Sequence, residues 1–290
     1  MLHLTPLLRR SAAVLSILAA AAAAQAPTAP SVLPAPPGVL QELGLSSATL
    51  QSPELPEQPG SAFAFPLWLD GAWREVSAWP HSVRAPGYRL MVEDGSGAAF
   101  EHPPTPETTY RGAVAGFPGS LVALSLYEGT VQGIVRLGAE EPWHGFQPLP
   151  GAAAGEHVVY SERDVLPLDV QCGGALDVLR GDDPGGAGAP APDGSSTKIC
   201  EIAIDADFEF FQSNGSSVTA TQNDITNVIN AVDAIYEAEV GIIYDITVIY
   251  VETAEPDPYS STSAGTLLDQ FQNHWNSQHQ ADPRDVAHLF

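Results

Sequence analysis

Eight histidines are the first place to look for metal or acid–base chemistry: His3, His81, His102, His144, His157, His274, His279 and His288. None stands in a His-Glu-x-x-His arrangement, in which two imidazoles four residues apart share one helix face and can hold a single zinc ion. The closest pair, His274 and His279, is five apart. At about 100° per residue their rings diverge by about 140° around a helix, so both are expected to be surface or packing residues. Carboxylates are abundant, and Asp205 with Asp207 reads as a solvated strand face in preference to a general acid and base. Asn214-Gly-Ser216 matches a glycosylation sequon. No Gly-x-x-x-x-Gly-Lys loop, Gly-x-Gly-x-x-Gly turn or Gly-x-Ser-x-Gly elbow occurs, which leaves nucleotide binding and α/β-hydrolase chemistry without support.

The charge balance narrows the partners. Thirty-five acidic residues against 11 basic ones give a net charge of -24, and no basic cluster lies beyond the first ten residues. Such a chain would be repelled by a phosphate backbone or an anionic bilayer, so no nucleic-acid partner is expected. At 44% hydrophobic content, 290 residues can bury about two cores, and disorder of the whole chain is excluded. Arg9 and Arg10 precede an apolar run from Ala12 to Ala24 that ends in small residues, the pattern of a signal peptide over 1–24. A secreted, extracellular protein is therefore expected. No later stretch is apolar and long enough to span a membrane. Two cysteines, Cys172 and Cys200, are too few for a disulfide-dense scaffold.

The elements that must position any site follow from periodicity. Residues 25–59 form a Pro/Ala-rich lead-in. Over 60–180, runs such as Phe63–Leu69, Tyr88–Val92, Leu121–Tyr127 and Val131–Leu137 are separated by Asp-Gly, Pro-Gly and Glu-Gly turns, which predicts an antiparallel β domain. Residues 181–197 are a Gly/Pro/Asp-rich linker. Over 198–290 the expected order is strand, helix, strand, helix, strand. Ile199–Phe211 alternates as a strand with one buried face, and Ile225, Val228, Ile229, Val232, Ile235 and Tyr236 fall on one helical stripe. Thr221 with Asp224 is spaced as a capping box, and Gly241 ends that helix. Ile242–Val251 reads as a central strand, Leu267, Leu268, Phe271 and Trp275 as the packed side of a second helix, and Asp285–Phe290 as a third strand. The fold class is thus α+β: a β-rich domain followed by an α/β sheet that is incomplete at Phe290, as in a truncated protein.

Two stretches resemble a known family. Thr109–Ser125, Glu128–Ile134, Gln147–Leu149 and His157–Tyr160 resemble the prosegment of adamalysin (reprolysin, ADAM-like) metalloendopeptidases. Ile199–Phe211, the helix around Val228 and Asp285–Phe290 resemble the first half of that family's metzincin-like catalytic domain. The resemblance implies a secreted zinc-dependent endopeptidase precursor that hydrolyses peptide bonds in protein substrates. Its prosegment, 60–180, would partner its own catalytic domain, 198–290. The family's zinc helix carries His-Glu-x-x-His-x-x-Gly-x-x-His, which is absent here, so the chain as given is expected to lack catalytic residues and peptidase activity. Cys172, in Val170–Gly174, resembles the family's cysteine switch, a thiolate ligand to zinc; a disulfide with Cys200 and an inert thiol are the alternatives. Glu201 and Asp285 match positions that the family uses as calcium ligands. A non-catalytic secreted binding or protease-inhibitor module is the alternative for the whole chain.

Overall fold

A computed structural model describes residues 31–56, 60–149, 151, 155–167 and 197–290. The architecture is mixed α and β, with strand predominating. Among the described residues, eleven strands precede residue 167: β1 (Val32–Pro34), β2 (Thr49–Gln51), β3 (Phe63–Leu69), β4 (Ala72–Pro80), β5 (Arg84–Glu93), β6 (Ala99–His102), β7 (Thr109–Val114), β8 (Phe117–Tyr127), β9 (Thr130–Arg136), β10 (Trp143–Pro148) and β11 (His157–Ser161), with one short α-helix, α1 (Pro37–Glu42). Nine of them form an antiparallel sheet in the order β1-β2-β11-β10-β9-β8-β7-β4-β3. Two of its hairpins turn where two-residue turn chemistry is written: Asp70-Gly71 and Glu128-Gly129 both adopt positive φ, the conformation a type I′ turn demands. Phe65, Leu67, Val76, Tyr110, Val122, Leu124 and Phe146 bury one face of the curled sheet in a single core.

The second sheet is built from β12 (Lys198–Ala206), β13 (Ile242–Glu252) and β14 (Val286–Leu289), joined by α2 (Phe208–Ser213), α3 (Val218–Val240) and α4 (Ala264–Gln278). β12 pairs in parallel with both β13 and β14, as the strand–helix–strand pattern requires. The sheet is not confined to residues after 198, however. Its order is β14-β12-β13-β5-β6, with β5 parallel to β13 and β6 antiparallel to β5. Tyr88–Val92, expected in the first β domain, therefore lies in the second sheet. The physical reason is that β13 is buried over Ile246–Glu252, and β5 closes the backbone edge that such a strand would otherwise leave open.

Local chemistry sets two further departures from expectation. The strand from Lys198 ends at Ala206, because Asp207 accepts the Phe210 N–H at 2.7 Å and starts α2 there; β12 is moreover buried on both faces from Ile202 to Ala206. The long helix begins a turn before Thr221: Ser217 is its N-cap, accepting the Ala220 N–H at 3.3 Å. Gly241 ends it at φ 68°, as expected.

The second sheet is covered on both faces. Ile202, Ile204, Leu90, Ile249 and Val251 pack with Ile225 and Ile229 of α3, whereas Ala203, Val248, Tyr250 and Met91 pack with Phe271 and Trp275 of α4. α3 also touches β7, β8 and β9, so it lies between the two sheets. Val228 and Tyr236, placed on its packed stripe by periodicity, are 38% and 42% exposed, whereas Gln222, Asn223, Thr226, Asn230 and Asp233 are buried.

Candidate functional site: a carboxylate–imidazole cavity at the strand ends

Strand alternation brings three acids to one face of the second sheet. Asp205 follows Ala203 on β12, Glu252 follows Tyr250 on β13, and Glu93 follows Met91 on β5, each two residues beyond a side chain that packs toward α4. Glu252 and Glu93 are register partners on neighbouring strands. The Glu93 carbonyl accepts the Thr253 N–H at 2.9 Å and the Thr253 hydroxyl at 2.8 Å, which ties the two strand ends together. Beside them is a cavity of about 510 Å³ lined by Glu93, Gly95, Glu252, Asp257, His274 and Gln278, among others.

Among the described residues, Glu93, Glu252 and His274 form the one group of three potential metal ligands, with one ligand atom of each within 4.8 Å of the others. Both carboxyls are buried. Burial raises the pKa of Glu93, and burial together with the charges of Asp205 and Glu93 pushes Glu252 up to about 9. Two such carboxyls can hold a proton between them or face a cation. Asp205, fully buried, accepts hydrogen bonds from the Tyr259 hydroxyl and from the Trp275 indole N–H at 2.9 Å, and burial pushes it up to about 7. The expectation of a solvated Asp205 is thereby corrected: β12 is covered by α4 on the face that Asp205 occupies.

His274 and His279 are also corrected. Their Nε2 atoms lie 3.0 Å apart, because α4 stops at Gln278 and His279, at φ -116° and ψ 27°, leaves the helical path that the 140° divergence assumed. Asp282 holds the far side of His279, with its Oδ2 3.3 Å from Nδ1, and also accepts the Tyr250 hydroxyl at 2.9 Å and an Arg89 N–H. Burial lowers the pKa of both imidazoles, that of His274 to about 4, so each is neutral at neutral pH.

The other candidates fall elsewhere. Glu201 and Asp285 are neighbours on the amino-terminal side of the β12–β14 pairing, away from that cavity: Asp285 Oδ2 accepts the Glu201 N–H at 3.0 Å, and the Glu201 carbonyl accepts the Asp285 N–H at 2.8 Å. Both side chains are exposed. Cys200 is half-buried next to them, its thiol pushed up by burial and by the Asp285 charge. Cys172 and most of the linker lie outside the described residues. Glu93 and Glu252 escaped sequence reasoning because they are far apart in the chain. The available signal was that each ends an apolar run, Tyr88–Val92 and Ile242–Val251, with a carboxylate.

Among the described residues, no helix is long and apolar enough to cross a membrane. The family model Reprolysin_5, described as metallo-peptidase family M12, matches residues 196–290. No curated protein sequence matches the chain.

Proposed function

From the premise that residues 196–290 are a reprolysin-like metzincin segment of the M12 metallopeptidases, we propose that this chain is the N-terminal part of a secreted, zinc-dependent metalloendopeptidase precursor. The family match carries the reading, and the parallel order β14-β12-β13 with crossover helices on opposite faces supports it. In this proposal residues 1–24 direct export, 60–180 act as the prosegment and 198–290 open the catalytic domain. Protein substrates follow from the peptidase family.

The family's zinc is held by three imidazoles and works with a glutamate beside it. The described residues do not fit that set: His274 and His279 meet, but no third imidazole joins them. The catalytic zinc ligands are therefore proposed to come from residues after Phe290, packed along β14. Val286 on that strand is 44% exposed, and an apolar groove of about 320 Å³ lies beside it, lined by Leu267, Leu268, Phe271 and Leu289 among others. Cys172 is proposed as the thiolate that caps the zinc in the precursor, and Glu201 with Asp285 as part of a calcium site.

The test is hydrolysis of an unfolded protein substrate by the product of the entire reading frame, freed of its prosegment. Activity that a chelator abolishes and zinc restores is expected, with none from the 290-residue chain alone. Zinc-independent hydrolysis, or zinc-dependent hydrolysis by the 290 residues, would contradict the proposal.

A further inference from the structure

The connections of the second sheet create a crevice at its carboxyl ends. The chain leaving β12 turns to the face covered by α3, and the chain leaving β13 turns to the face covered by α4. Where neighbouring parallel strands send their connections to opposite faces, the sheet opens a ligand-sized gap beyond the strand ends. The cavity lined by Glu93, Glu252 and His274 lies at the carboxyl ends of β13 and its neighbour β5, one strand over from that opening.

Three observations give that cavity a cation's chemistry. Glu252 is 2% exposed, yet its Oε1 has no hydrogen-bond partner, a costly state for a buried carboxyl oxygen. Among the described residues, no Lys or Arg pairs with Glu93 or Glu252. The third member is an imidazole whose tautomer is set by its neighbours. Asp282 takes the Nδ1 proton of neutral His279, leaving His279 Nε2 as an acceptor. His274 then donates from Nε2 across the 3.0 Å contact, and its Nδ1 keeps a free lone pair. A carboxylate that fixes a ligand's tautomer through hydrogen bonds is the usual support around a metal-bound imidazole.

We propose that Glu93, Glu252 and His274 bind one divalent ion of the zinc class, at a site separate from any catalytic zinc. One nitrogen and two carboxylates suit zinc, which takes three protein ligands and a water in open sites. Calcium, which takes six to eight oxygens, fits less well. The backbone around the site is held closely: Gly95 follows β5 at φ 77°, and a Cβ there would approach the Glu255 carbonyl oxygen to 3.0 Å. Because Glu93 comes from β5 and the other two ligands from β13 and α4, the ion would clamp the N-terminal hairpin to the C-terminal part of the chain. This site does not depend on the peptidase reading and stands or falls separately.

The test uses the 290-residue protein, stripped by a chelator and titrated with Zn²⁺ by calorimetry and with Co²⁺ by visible absorption. One equivalent should saturate, the Co²⁺ spectrum should show nitrogen ligation, and Zn²⁺ should raise the melting temperature. His274→Ala should remove the Co²⁺ signature, Glu252→Gln the melting shift, and Asp282→Asn should weaken binding by about ten- to hundredfold. If Glu252→Gln fails to fold by circular dichroism, the half-buried His274→Ala variant carries the test. Absence of one-to-one binding, or equal affinity in wild type and His274→Ala, would overturn the proposal.

Discussion

The carboxyl of Asp205 has two donors, the Tyr259 hydroxyl and the Trp275 indole, but no cation among the described residues. Burial raises it to about 7 from its ordinary 3.8, more than those two hydrogen bonds lower it. The consequence for stability has a definite sign. As pH rises from about 4 to about 7, unfolded chains release this proton while folded ones keep it, so Asp205 lowers stability across that window and by a constant amount above it. The limit is about 4 kcal/mol at about 1.36 kcal/mol per pKa unit. Comparing urea midpoints of wild type and Asp205→Asn at pH 5 and pH 8 isolates this effect, because constant packing costs cancel. The variant should gain on the wild type at pH 8, and an equal difference at both values would contradict the assignment. Alternation along β12 was legible in the sequence, but the burial of Asp205 was not, since its partners come from a loop and a helix more than fifty residues away.

α3 shows the same division at the scale of an element. Its Gly241 stop and the burial of Ile225 and Ile229 follow from spacing and periodicity, whereas its start does not, since Ser217 and not Thr221 is the N-cap. Its opposite side is polar in sequence and would be expected in water, yet it is buried against the first sheet. The Asn230 carboxamide donates to the carbonyls of Tyr110 at 3.2 Å and Leu124 at 3.1 Å. Arg111 of β7 reaches both Asn230 and Asp233, and the other oxygen of Asp233 accepts the Tyr244 N–H at 2.6 Å. Burying each isoleucine stabilises by about 1.5–3 kcal/mol, against about 1 kcal/mol for a neutral hydrogen bond. The apolar side therefore drives the packing, and the polar side selects one arrangement of helix on sheet. Arg111→Ala should cost about 3–5 kcal/mol in denaturant unfolding, because it leaves Asp233 buried without its guanidinium. Arg111→Met with Asp233→Asn should recover most of that loss. Additive losses in the double variant would show that the pair is not coupled.

Across the whole molecule, the described residues from Ser31 to Phe290 form one compact unit in which composition and topology divide the chain differently. Composition separates 60–180 from 198–290 at a linker, whereas strand pairing carries β5 and β6 across that line into the second sheet. A parallel pairing between segments about 150 residues apart leaves no local pattern, which is why it was not legible; the hairpins with their Asp-Gly and Glu-Gly turns were. The pairing also gives the two halves a shared sheet, a shared helix and, in the metal proposal, a shared ion. A net charge of -24 surrounds this assembly and suits a divalent cation better than any polyanionic partner. The central claim is that residues 196–290 open a metzincin catalytic domain, and reading the coding frame beyond the Phe290 codon tests it most directly. A continuing frame that encodes His-Glu-x-x-His-x-x-Gly-x-x-His is expected. A frame that stops, or continues without that motif, would contradict it.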